Sequence, residues 1–105
     1  MEKKTIQIQT AFNSEEEVRR IANKLIEMNL AACVQFFPIA SIYRWKDQIE
    51  ESKEYLLFIK STLKNKNKIL EFLDKEHTYE LPEIVVTSLD YVSKDYSKWV
   101  YDETN

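Results

Sequence analysis

Chemistry in this chain gathers most densely in one short stretch, His77-Thr78-Tyr79-Glu80-Leu81-Pro82-Glu83. It holds an imidazole, a phenol and two carboxylates within seven residues, and the imidazole is the only one in the sequence. A neutral imidazole can serve as base, switch or metal ligand. Glu80 and Glu83 could add carboxylate oxygens, although Pro82 prevents a helical i, i+3 arrangement. The competing reading is a histidine at a helix end, bonded to backbone and favoured by the helix dipole. The second group is aromatic: Tyr43, Trp45 and Tyr55 flank a predicted hairpin. There they could stack a ligand or anchor subunit contacts, where Tyr and Trp are enriched. Lys60 at a strand end could meet an anion, or stand solvated, or pair with Glu83. Cys33 is the single cysteine. It could bind a soft metal as thiolate, but its apolar flanks favour a small buried hydrophobe.

The metal candidates are therefore His77 and Glu80, and the ligand-binding candidates are Trp45, Lys60, Tyr79 and Glu83. No catalytic residue is assigned. No Ser-His-Asp or Cys-His signature is present, and no pair of carboxylates is placed by sequence in a cleft. The chain has no glycine at all, which removes the Walker and dinucleotide-binding loops that need residues without Cβ. A lone cysteine allows no internal disulfide and no four-cysteine zinc site. The formal net charge of −3 argues against a phosphate-backbone binder. No run approaches the roughly 20 apolar residues of a membrane helix. No apolar signal core follows Met1-Glu2-Lys3-Lys4, so a cytoplasmic setting is expected.

The elements that must position these groups read β-α-β-β-α-β with a short final helix. Thr5 to Thr10 alternates apolar and polar, as a half-buried strand does. Ser14 and Glu17 form a capping box before Val18, Ile21, Ala22 and Leu25, which share one helix face. Asn29 stands as a left-handed helix stop. Ala32 to Phe37 reads as a strand ending near Pro38, resumed over Ser41 to Trp45 after an irregularity. Lys46-Asp47-Gln48 turns the chain into a strand through Glu54 to Lys60, whose continuous apolar centre predicts burial on both faces. A helix over about Leu63 to Glu76 carries its charges against its dipole, so tertiary packing must hold it. Glu83 to Leu89 is the last strand. Ser93 to Val100 is the last helix, with Tyr96, Trp99 and Val100 on one stripe. Two β-α-β halves in one antiparallel sheet with both helices on one face give an α+β, ferredoxin-like sandwich, a single domain over residues 1–105.

Four stretches go beyond the grammar of that fold: Leu30-Ala31-Ala32-Cys33-Val34, Ser41-Ile42-Tyr43-Arg44-Trp45, Glu54 to Ser61, and His77 to Ile84. In order and spacing they resemble the CutA divalent-cation tolerance family over nearly the whole chain. The resemblance implies a ferredoxin-like subunit in a compact homotrimer, with the hairpin reaching across to its neighbours. It implies a link to copper and other divalent-cation tolerance, and no established catalysis. The function expected is a non-enzymatic trimeric binding protein. It needs no cofactor, and its contact with Cu(II) or another divalent cation is weak. Small ligands would lie at subunit interfaces, and no nucleic acid or membrane partner is expected. Three positions depart from the family pattern. Thr78 replaces a usual Pro. Asp47 replaces a common hairpin Gly, which predicts a looser turn. Gln9 stands near the end of the first strand, where some bacterial members carry a copper-associated Cys.

Three other readings compete. An RNA-recognition module needs exposed aromatics in a Lys/Arg-Gly-Phe-like strand, and Lys53 to Ile59 has no glycine. A small acylphosphatase-like enzyme needs an Arg-bearing phosphate loop, which Ala11 to Ser14 does not supply. A purely structural trimer that organises a protein partner is the third.

Overall fold

The computed structural model describes residues 3–105. One four-stranded antiparallel sheet, in the order β2-β3-β1-β4, is built from β1 (Thr5–Phe12), β2 (Cys33–Trp45), β3 (Gln48–Thr62) and β4 (Ile84–Ser88). Helix α1 (Glu15–Glu27) follows β1. Helix α2 (Lys66–Glu76) follows β3 through a turn of 3-10 helix at Leu63–Asn65, and α3 (Lys94–Glu103) ends the chain.

Strand alternation sets the layers. Ile6, Ile8 and Phe12 of β1 and Leu57 and Ile59 of β3 are fully buried against Val18, Ile21 and Leu25 of α1 and Ile69 and Leu73 of α2. The ferredoxin-like order is thus as expected, with α1 and α2 on one face. The opposite face carries Gln7, Gln9 and Ala11 of β1, which lie across from Lys60, Phe58 and Leu56 of β3. Helix α3 lies against β1 and β3 on this second face, where Thr5 Oγ1 meets Ser97 Oγ at 3.0 Å. It covers only one end. Leu56 and Phe58 are half-buried and Phe37 is 44% exposed. The burial of β3 on both faces that its sequence predicts is therefore not achieved within one chain.

Local chemistry explains most element ends. Ser14 Oγ accepts from the Glu17 N–H at 3.4 Å, but the Glu17 carboxylate turns to Arg20 Nε at 2.8 Å, so the capping box is half formed. Arg20 also donates to Glu76 at 2.7 Å. That bond ties α1 to α2, holds the Glu76 carboxyl below the usual range and raises the guanidinium further. Asn29 adopts the expected left-handed conformation, φ 58°.

Two further expectations are corrected. β2 is one continuous strand through Pro38, which pairs with Tyr55. As the sheet's edge strand it has no neighbour on its outer side, so the missing N–H can point outward without breaking the ladder. The turn at Asp47 is tight, not loose. Lys46 (φ 50°) and Asp47 (φ 66°) are both left-handed and Trp45 pairs directly with Gln48, as in a two-residue type I′ hairpin. Asp tolerates that conformation better than most residues.

Candidate functional site

The hairpin of β2 and β3 runs beyond the rest of the sheet as an arm. The described chain measures 44 × 27 × 21 Å with a radius of gyration of 14.4 Å, above the roughly 13 Å of a compact chain this long. Its register, Trp45↔Gln48 through Tyr43↔Glu50, Ser41↔Ser52 and Ile39↔Glu54, puts Tyr43, Trp45, Ser52 and Glu54 on one face. Tyr55, paired with Pro38, faces the other way and packs against the core. The expected trio of Tyr43, Trp45 and Tyr55 is therefore a pair.

The segment after α2 crosses the base of this face and closes a cleft of about 760 Å³. Tyr43, Trp45 and Glu54 line it from the arm, and Tyr79, Glu80 and Glu83 from the segment. Two bonds tie the segment to the sheet. The Tyr79 hydroxyl donates to Glu54 Oε2 at 2.7 Å, and Gln9 Nε2 donates to Glu83 Oε2 at 2.6 Å. Burial, then the Glu54 bond and charge, push the Tyr79 pKa far above its ordinary value. The phenol is a permanent donor at neutral pH.

His77 is the anchor of that segment rather than part of the cleft lining. Its ring stacks on Phe12 with centroids 4.0 Å apart and planes 11° apart. Nδ1 accepts the Tyr79 backbone N–H at 3.1 Å. The neutral ring therefore carries its proton on Nε2, which meets the buried Thr10 Oγ1 at 3.1 Å. Both nitrogens are engaged inside the fold. Burial lowers the imidazole pKa, against smaller opposing pulls from the Ala11 backbone and the Glu54 carboxylate. Among the described residues no three His, Cys, Asp or Glu side chains are close enough to hold a metal ion.

Lys60 lies outside the cleft lining. Its Nζ donates to Gln35 Oε1 at 3.0 Å and sits 5.9 Å from the centre of the Phe58 ring, so its pairing with Glu83 is not observed. Cys33 is half-buried, less covered than its apolar flanks imply. It opens the edge strand on the second sheet face, where Tyr96 of α3 lies against it and has its pKa raised by burial and by that contact.

A family model described as CutA1 divalent ion tolerance protein matches residues 6–103. The chain belongs to the CutA1 family. The divalent-cation tolerance protein CutA of Thermus thermophilus is 39% identical over 92 residues, covering 87% of this chain and 89% of that protein. Its counterpart in Thermotoga maritima is 35% identical over 95 residues, covering 90% and 94%. Among solved structures, the periplasmic divalent cation tolerance protein CutA of Archaeoglobus fulgidus superposes with a TM-score of 0.93 at 29% identity, over 96% of this chain and 99% of that one. The Thermus thermophilus Cut A1 structure gives 0.90 at 35% identity, over 96% and 99%.

In this chain the cleft brings together four of the six residues singled out from the sequence: Trp45, Tyr79, Glu80 and Glu83. His77 and Lys60 are not among its lining residues. Glu54 and Gln9 were missed. Counting back from a two-residue turn at 46–47 would have put Glu54 on the face of Tyr43 and Trp45. Gln9 stood out only as a departure from the family pattern, and its bond to Glu83, 74 residues away, has no local signal.

Proposed function

We propose that this CutA1-family chain acts as a non-enzymatic binding module in divalent-cation tolerance, assembled as a homotrimer. One observation carries the reading: an arm and a sheet face that a single chain leaves unpartnered. Ile42 is 70% and Ile49 is 73% exposed, and by register they are diagonal neighbours on the arm face opposite Tyr43 and Trp45, with Ile42 also reaching the edge of the cleft. Phe37 and Val85 are exposed on the second sheet face, and Trp99 on α3. Apolar area of this extent marks an interaction surface, and copies of the chain are the occupants this reading assigns to it. The number three comes from the family resemblance.

The non-enzymatic reading rests on how the imidazole is used. Both its nitrogens hold the fold together, and Cys33 has Tyr96 beside it rather than a base. In this reading no resident metal or cofactor is required. Contact with Cu(II) or other divalent cations is weak and made by exposed carboxylates such as Glu80. The reading keeps the cytoplasmic setting expected from the sequence. Among the described residues no helix is long and apolar enough to cross a membrane.

Sedimentation equilibrium at micromolar concentration tests the assembly. The expected result is a trimer for the natural chain and a shift toward smaller species for the Ile42→Ser, Ile49→Ser double variant. A monomeric natural chain would end the reading.

A further inference from the structure

Resting on the binding-module reading, the geometry points to a ligand class: the cleft between the arm and the segment after α2 takes an organic cation, an ammonium group carried on an apolar body. The lining is acidic and aromatic at once. Glu54, Glu80 and Glu83 bring three carboxylates, and Tyr43, Trp45 and Tyr79 bring three rings. Arg44 is the only basic residue among the lining residues. Its register partner is Ile49, so strand alternation sends its side chain to the opposite face from Tyr43 and Trp45.

Size and donor spacing separate this ligand from a bare metal ion. A hard divalent cation needs about six oxygens at roughly 2.0–2.6 Å. No such group of side chains exists among the described residues. The cleft, about 760 Å³, instead falls within the roughly 300–1,000 Å³ of small-molecule sites. Rings attract a cation through their quadrupole, and the attraction grows as water leaves. The chain already shows this at Trp45, where Lys46 Nζ lies 5.7 Å from the ring centre.

The carboxylates are also held in place. Tyr79 fixes Glu54 through Oε2, and Gln9 fixes Glu83 through Oε2. Each keeps its Oε1 without a hydrogen-bond donor among the described residues, free to accept an N–H from a ligand. An ammonium group satisfies these oxygens while its apolar body covers the indole and phenol faces. A neutral ligand leaves the charge unmet, and an anion is repelled.

The test is calorimetry of the full chain with benzylammonium and with its neutral isostere, benzyl alcohol. The expected result is at least about tenfold tighter binding of benzylammonium, a ratio that a desolvated cation–ring contact and one carboxylate can supply together. The preference should disappear in Glu54→Gln, which still accepts the Tyr79 hydroxyl, and weaken severalfold in Trp45→Leu. Glu71→Gln, a change on an exposed face of α2, should leave it intact. Equal affinities for the two probes would overturn the proposal. So would a loss in Glu71→Gln equal to that in Glu54→Gln, since the preference would then be general surface charge. Sedimentation of the same samples keeps the two readings apart. A monomer that still prefers benzylammonium removes the trimer and leaves the cleft. A trimer without the preference removes the cleft alone.

Discussion

Replacing His77 by Ala should destabilise this protein by roughly 2–4 kcal/mol, far more than a half-exposed polar side chain usually commands. Three losses add. The imidazole stacks almost parallel on Phe12 at 4.0 Å, and such a pair contributes about 0.5–1.5 kcal/mol beyond area burial. The Tyr79 N–H loses its acceptor and the Thr10 hydroxyl loses its partner. Thr10 is fully buried, and an unsatisfied buried polar group costs about 1–3 kcal/mol. Water can follow into a half-exposed ring site, which keeps both polar losses near the low end. His77→Phe separates the contributions, because it keeps the stack and loses both bonds; its cost should be roughly two-thirds as large. The pH dependence has a definite sign. Burial depresses the native pKa below 6.5, so above that value native and unfolded chains are both neutral and the full stability is present. As pH falls below 6.5 the unfolded chain takes up the proton first, and stability declines until the native pKa is passed. Protonation would also set an Nδ1–H against the Tyr79 N–H. His77 is the only histidine and ordinary carboxylates titrate near or below about 4.3, so the interval from pH 7 to 5.5 isolates it. Urea unfolding at several pH values and one fixed protein concentration measures both effects. A His77→Ala variant within 0.5 kcal/mol of the natural chain, or one with an unchanged slope between pH 7 and 5.5, would refute the anchoring role.

Two further changes test local readings. Asp47→Gly should stabilise the chain by about 0.5–1 kcal/mol in the same unfolding assay, because glycine adopts a left-handed conformation without the Cβ penalty; a destabilised variant would mean that the Asp47 side chain has a role of its own. Ser14→Ala should cost about 1 kcal/mol through loss of the α1 N-cap, and an unchanged midpoint would show that the 3.4 Å bond to Glu17 contributes nothing.

The fold was legible because its periodicities are clean. The alternation from Thr5, the apolar face from Val18 to Leu25 and the stop at Asn29 each produced the element they predict. The errors share one cause, namely residue preferences read without neighbours. Pro38 reads as a strand break, yet an edge strand has no outer partner to miss its N–H. Asp47 reads as loose because glycine is absent, yet the required backbone conformation is open to Asp. The site was legible only as far as sequence proximity reaches. Tyr79, Glu80 and Glu83 are neighbours in the chain, and Trp45 declares itself as an aromatic beside a turn. The use of His77 depends on Thr10, which is 67 residues away, and on a backbone N–H whose direction follows from the path into Tyr79. Its chemistry as a free imidazole was therefore legible and its employment was not.

Self-association of a chain that requires no resident metal is the claim on which the functional account stands. Native mass spectrometry of the protein taken directly from cell extract, with and without a chelator, tests it most directly. The account predicts one species at three times the chain mass, unchanged by the chelator and carrying no stoichiometric metal. A monomer at micromolar concentration, or a trimer that loses metal and falls apart when chelator is added, would contradict it.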